Sequence, residues 1–463
     1  MSVREILQSM GLKPAEEPAE LSNWKEWYKG DTDWHSYTIY NGMARTGQKR
    51  ASMHMAKQVC QDWASLIINE KAEIKVDHEM ADAFLNDVLA DNRFHVRANQ
   101  LVELTFAFGT GAFVEYLDGD GRIIIDYVRG DLIYPLAWEN GQITECAFAS
   151  IQQINNKSAY YLNIHRRDDG GRYIVQNFFY DKESSKEIPL PDGLAEEVYT
   201  GSDRARFQII RPNIVNNFDL DSPYGIAVFA NAISRLKKVD LIFDSGNNEF
   251  ALGKKRIILP LSMAQIQKGK ALEQPVFDAN DVAFYALQVE EAEKPIDLTG
   301  QIRSAEHSQG LQDALNYLSD GVGLGSGRYD YTNGSGLVTA TQVVSEKSDL
   351  YQNLKKHEQV MEQAIRDMCS VIFELGGLPG DLPISVNFDD SIITDKNTDI
   401  DNAIKLSGSG LMSKVSAMED IHGWTEDQAK EELARIMEEN RMAMASVDDL
   451  IAQEGDEPEE TDE

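Results

Sequence analysis

The chain has 463 residues, 77 aspartates and glutamates against 44 lysines and arginines, and a formal net charge of −33 at pH 7. Such acidity argues against a groove that grips nucleic acid regardless of sequence, which needs a surplus of cations; an apolar fraction of 42% is enough for real cores, and the length predicts several parts or one elongated subunit. Cys60, Cys146 and Cys369 are too scattered for a disulfide framework or a metal pair, and no signal peptide or run of about eighteen apolar residues is found, so a soluble intracellular protein is expected.

Taken in chain order, the first stretch carries Pro14 and Pro18 among glutamates and reads as a loose arm. Apolar spacing at Met53, Ala56, Val59, Cys60, Trp63 and Leu66 predicts an amphipathic helix over 49–69, followed by helices over 79–91 and 94–108 before the Gly109-Thr110-Gly111 break. Strands follow over 112–117 and 122–128, joined by Asp118-Gly119-Asp120-Gly121, then over 143–151, 159–164, 173–179 and 207–211. A long helix is predicted over 227–250, a proline- and glycine-punctuated insert with two strands over 253–302, and helix again from Arg303. The glycine-rich run from Gly321 to Gly336 then leads into a helix over 341–375, which Gly376-Gly377 and Pro379 close. At about 1.5 Å per residue this helix exceeds 50 Å, more than an ordinary globular domain needs. A strand over 382–388, an interrupted helical region with a capping box at Thr425 and Gln428, and an acidic tail expected to be disordered complete the chain. The fold class is α+β.

Several chemistries fail on inspection. The run Gly323-Leu324-Gly325-Ser326-Gly327 lacks the Gly-Lys-Ser/Thr ending of a phosphate loop and follows no strand, and Ser326 has Leu324 and Arg328 where a nucleophile elbow needs glycines. His78-Glu79 and His357-Glu358 begin a zinc-protease pattern, but Asp82 and Met361 occupy the place of the second histidine. Asp118-Gly119-Asp120-Gly121 has Arg129 where a calcium loop needs its last carboxylate, so a hairpin turn is the better reading. No catalytic, cofactor-binding or metal-binding residue is expected, and no enzyme.

The glycine-rich run feeding a long helix, together with Trp24 to Gly30, Ser52 to Lys57, Cys60 to Ala64, Phe106 to Phe113, Ser222 to Gly225, and Asn248 to Phe250 with Lys254, Lys255 and Arg256, resembles the portal proteins of tailed bacteriophages, particularly long-tailed phages of Gram-positive hosts. The resemblance implies an elongated subunit: a mixed α/β wing over 1–226, stem helices over 227–252 and 303–320, and a small α/β clip over 253–302. It further implies a tunnel loop over 321–338, a long wing helix and strand over 339–396, a helical crown over 397–445 and an acidic tail over 446–463.

The implied function is a dodecameric ring at the portal vertex of the capsid, made in the host cytoplasm and surrounding a channel for packaging and ejection of double-stranded DNA, which passes without sequence-specific recognition. The implied partners are further copies of the chain, the terminase large subunit, a head-completion or adaptor protein, and the major capsid and scaffolding proteins, with no membrane. Candidate channel residues are Gly325, Gly327, Arg328, Tyr329, Tyr331 and Asn333; a second candidate group is the basic cluster Lys254, Lys255 and Arg256 where clip meets stem. That cluster reads equally as cations opposing a helix dipole. Trp24, Trp27 and Trp34 read as core packing or as a subunit contact. Another head-tail connector ring and an acidic enzyme of unknown class are the alternatives.

Overall fold

The computed structural model describes residues 2–40, 44–69, 72–154, 157–191, 193–253, 257–260, 284–287, 296–297, 300–330, 340–388, 403–422, 424–426 and 428–438. The chain divides into two compact units, 1–388 and 389–463.

The first unit opens with a helix where a loose arm was expected. Helix α1 (Val3–Ser9) starts on a capping box, Ser2 accepting from the Glu5 amide while Glu5 accepts from the Ser2 amide. Its apolar positions recur at helical spacing, so Val3, Ile6 and Leu7 fall on one face and pack against Ala147, Ala149, Leu162 and Ile164. Those four lie on strands β7 (Gln142–Ile154) and β8 (Lys157–Arg167). Prolines placed after a helix do not prevent it.

Helices α2 (Leu21–Lys29), α3 (Met55–Ile67), α4 (Glu79–Asp91) and α5 (Phe94–Phe108) form the helical layer of the body. Trp24, Trp27 and Trp63 are all buried core residues, whereas Trp34, 6.0 Å from Trp27, is half-buried with Arg50 4.5 Å over its ring. A three-stranded antiparallel sheet sets β4 (Gly111–Leu117) between β5 (Ile123–Arg129) and β12 (Phe207–Ile210). A larger antiparallel sheet runs β10 (Glu187–Ile188), β9 (Tyr173–Asp181), β8, β7, β6 (Ile133–Glu139), with β11 (Glu197–Tyr199) also pairing β9. Val114, Val128, Cys146, Phe148, Tyr173 and Phe207 fill the space between the two sheets.

The Asp118 to Gly121 stretch is a hairpin turn: the Asp118 carboxylate accepts from the amides of Asp120 and Arg122 at 3.0 and 2.8 Å, and Gly121 has φ +77°. Asp168 to Arg172 repeats it, with Gly171 at φ +80°. Two segments from the resemblance meet here. A Cβ on Gly109, whose φ is +79°, would lie 2.5 Å from the Gly225 carbonyl oxygen, and the Gly225 amide donates to Thr110 Oγ1 at 3.2 Å. Only glycines permit that approach.

Beyond the body run α6 (Ile233–Leu252), which begins six residues later than expected after a 3-10 turn, then α7 (Ser304–Gly321) and α8 (Ala340–Leu375). Between α6 and α7, β13 (Ile257–Pro260) pairs parallel with β14 (Phe284–Leu287) and antiparallel with β15 (Ile296–Asp297). The 36 residues of α8 give about 54 Å at the ordinary rise. After it, β16 (Ile384–Asn387) returns to pair antiparallel with β3 (Glu73–Val76), which joins chain segments some 310 residues apart. A separate two-stranded hairpin, β1 (Ser36–Tyr40) with β2 (Arg45–Lys49), has every residue exposed or half-exposed.

In the second unit the described residues are helical over 403–408, Lys414–His422 and 428–438. The expected capping box is present: Thr425 and Gln428 exchange backbone-to-side-chain bonds of 3.0 and 3.4 Å.

Candidate functional site

Helix α7 ends in a Schellman motif, because Gly323 with φ +82° turns the chain left-handed. The Gly323 amide donates to the Asp320 carbonyl at 3.1 Å and the Leu324 amide to Ser319 at 3.0 Å, while Leu324 itself is buried. Ser319 Oγ then donates to the Gly325 carbonyl. The first glycines of the run therefore terminate a helix and seat the chain on its own body. Composition alone suggests a pliant loop; residues 321–330 are instead held by side chains from three helices.

Three contacts fix this segment. Trp63 Nε1 on α3 donates to the Val322 carbonyl at 3.1 Å, Asn353 on α8 donates to the Gly323 carbonyl at 3.1 Å, and Gln312 on α7 donates to the Tyr329 carbonyl at 3.1 Å. Tyr329 is buried, and its hydroxyl donates to Asp62 Oδ2 at 2.7 Å. Burial, with Asp62 beside it, pushes the phenol far above its usual range. Arg328 places Nη2 3.4 Å from the other Asp62 oxygen, with about a third of its side chain exposed.

Gly325 and Gly327 have φ +76° and +90° and carry the chain between those anchors. Tyr331 and Asn333 lie outside the described residues, as do Lys254, Lys255 and Arg256. In sequence, Trp63 reads as an apolar helix position and Asp62 only as part of the Cys60 to Ala64 segment; neither they nor Asn353 read as partners of the glycine-rich run. Asp62 looks there like one more solvated carboxylate on an amphipathic helix, and only the run of loop aromatics hinted at a buried partner.

The two helices leading to the segment are stapled at both ends. Arg303 forks onto Glu249 at 3.1 and 3.0 Å, and this hydrogen-bonded cation, more than any other influence, holds the Glu249 carboxyl down to about 2. At the other end Arg235 donates to the Tyr317 carbonyl and lies 3.5 Å from Asp320. α6 is tied to the N-terminal region by buried carboxylates: Asp240 accepts from His35 Nε2 at 2.9 Å, Ser52 Oγ at 3.0 Å and the Met53 amide at 2.8 Å. Asp244 accepts from the Ala51 amide at 2.9 Å. The Thr32 amide donates to Nδ1 of His35, which leaves the ring proton on Nε2 for Asp240.

The described residues also hold several buried titratable groups. No group of three or more histidines, cysteines or carboxylates there could hold a metal ion. Cys60, Cys146 and Cys369 are buried, and burial pushes each thiol up, away from the nucleophilic thiolate. His357 sits edge-on between Trp63 and Phe106, its Nδ1 accepting from the Asn213 amide at 3.0 Å, and burial lowers it to about 4. Glu115 is buried facing Gln208 and Arg206 without a well-formed hydrogen bond, and burial raises its carboxyl to about 8. No described helix is long and apolar enough to cross a membrane.

A family described as phage portal protein, SPP1 Gp6-like, matches residues 14–446. No curated protein matches the chain.

Proposed function

We infer the role of the molecule from the family to which this chain belongs, the SPP1 Gp6-like phage portal proteins. A portal protein is a structural component of the capsid, a homo-oligomeric ring at the portal vertex whose channel admits double-stranded DNA; it is not an enzyme. The match over residues 14–446 carries this reading.

The finer assignment is ours. We read residues 1–226 as wing, 227–252 and 303–320 as stem, 253–302 as the clip on which the terminase and then a head-completion protein dock, and 397–445 as crown. The ring in the capsid has twelve subunits, and DNA leaves through the same channel by which it entered. The segment over 321–338 is the tunnel loop. The left-handed glycines, the contacts of Trp63, Asn353 and Asp62, and the stapling of α6 to α7 support a loop whose first root is held.

A duplex has to slide through such a channel, so strong phosphate contacts would act as a brake. A net charge of −33 suits a wall that does not grip, and Arg328, half-neutralised by Asp62, suits a weak, reversible contact. Native mass measurement of the purified chain, with negative-stain images, tests the ring: twelve or thirteen subunits in an annulus are expected, and a persistent monomer or dimer under capsid-assembly conditions refutes it.

A further inference from the structure

The β1–β2 hairpin stands almost fully exposed on the subunit. All ten of its residues are exposed or half-exposed, including Ile39 at 45% and Tyr40 at 66%. A two-stranded sheet with no covered face is marginal alone in water. Its charge also departs from that of the chain. Residues 36–50 hold Arg45, Lys49 and Arg50 and no carboxylate, in a protein with 77 acidic residues among 463. Arg45 and Lys49, four apart on β2, share one face, and Gly47 between them pairs with Thr38 on β1; Lys49 also reaches Asp31 at 2.8 Å, an exposed pair of the kind a neighbour can compete with.

The stem carries the complementary surface. Glu306 and Asp313 lie seven residues apart on α7 and are both exposed, with exposed Gln309 between them, whereas Tyr317 and Asp320 further along already meet Lys238 and Arg235 of α6. Seven residues are two helical turns, about 10 Å, so these two carboxylates project from nearly the same side of α7. The cations of β2, four strand residues apart, are separated by about 13 Å.

These two surfaces lie on opposite sides of α6. The chain at the hairpin's base binds Asp240 and Asp244. α7 meets α6 at Arg235, Lys238, Ile242, Gly246 and Glu249: Lys238 lies 4.8 Å over the Tyr317 ring, and Glu249 pairs with Arg303. At 100° per residue, those positions sit roughly 140–180° around the helix from the midpoint of Asp240 and Asp244. The order across one subunit is therefore hairpin, α6, α7, with a basic surface at one side and an acidic one at the other. A ring is built from heterologous contacts between two different faces of one subunit, and these two are opposite in charge, with spacings close enough for long side chains to span.

We propose that the β1–β2 hairpin of each subunit lies along the Glu306 and Asp313 face of α7 in the next copy around the ring. The proposal rests on the ring reading above and names one of its contacts.

The full-length chain tests it by charge exchange. Arg45→Glu with Lys49→Glu, and separately Glu306→Lys with Asp313→Lys, are each expected to weaken ring assembly about tenfold, as two exposed ion pairs turned to repulsion should, read by native mass spectrometry across dilution and NaCl. Combining all four substitutions in one chain restores assembly, because each reversed hairpin then meets a reversed neighbour. An oxidised Thr38→Cys, Asp313→Cys chain gives a ladder of linked subunits, while either single variant does not; the native cysteines are buried and stay silent. Unchanged assembly in both charge variants, failure of the combination to restore it together with no ladder, or a hairpin variant that alters only binding to a short DNA duplex overturns the proposal. If those results come with intact wild-type rings, the portal reading survives and this contact alone falls.

Discussion

Tyr329 and Asp62, 267 residues apart in sequence, share a 2.7 Å hydrogen bond that pins the root of the glycine-rich run to helix α3. The same carboxylate faces Arg328 through its other oxygen. One aspartate thus sets both the anchor of the segment and the charge of its cation. Tyr329→Phe keeps the packing and removes the donor, and is expected to cost about 1–2 kcal/mol in urea denaturation. Limited proteolysis near residue 330 should speed up in parallel. Unchanged cleavage would mean that Trp63 and Asn353 hold the segment without Tyr329.

If Arg328 faces the channel as proposed, Arg328→Ala should leave rings intact while changing DNA packaging or retention, because it would remove one weak cationic contact per subunit and disturb no core. Deleting residues 325–334 should have a larger effect, but that deletion also removes the Tyr329 anchor. Deleting 331–338 leaves the anchor in place and asks about the loop alone. Full-length genomes packaged and held normally by both deletions would remove the loop from the channel's working parts.

Glu115 offers a pH prediction. Its folded-state carboxyl titrates near 8, above the ordinary glutamate value of 4.5, because it is buried beside Gln208 and Arg206 under α8 with Asp367 on that helix. The unfolded chain gives up this proton near pH 4.5 and the folded chain keeps it until about 8. The stabilisation from this site is therefore fully present below about 4.5, declines as pH rises, and is gone above about 8. Glu115→Gln should melt more like wild type at pH 5 and be more stable than it at pH 8.5, by roughly 1–3 kcal/mol, the cost of an unmatched buried polar group. Parallel melting curves at the two pH values would refute the assignment.

Helix α1 should matter more to stability than its place at the chain terminus suggests. Leu7 is fully buried on the six-stranded sheet. Leu7→Ala should lower stability by about 2–5 kcal/mol, the usual range for emptying such a site. A thermal melt within a degree of wild type would show that α1 is not docked.

Local signals in the sequence were sufficient for many elements. Helices over 79–91 and 94–108 fall where apolar spacing and the Gly109 stop place them, and the 36-residue α8 starts within one residue of its expected position. The Asp-Gly turn and the Thr425 capping box also follow from local chemistry. The misses share a physical origin in contacts made across the chain. β6 contains Pro135, which argues against a strand until the bulges beside it in the β6–β7 pairing are seen. The β1–β2 hairpin has no alternating apolar face, and β3 has too few residues to stand out before β16 supplies its partner. At the loop, the glycines were legible as places where the chain turns, whereas Asp62 acquires its importance from a residue 267 positions away.

The pairing of β16 with β3 has a consequence for biosynthesis. The helical layer formed by the first hundred or so residues lacks Ile384 opposite Val76, and Trp63 lacks its acceptor at Val322, until the later segments have left the ribosome. Contacts this distant in sequence form late and slow folding. A subunit interrupted before residue 384 would present an open strand edge at β3. Incomplete chains should then be recognised by chaperones and proteases rather than join a nascent ring, so the topology itself screens truncated copies out of an assembly in which one defective member would obstruct every genome.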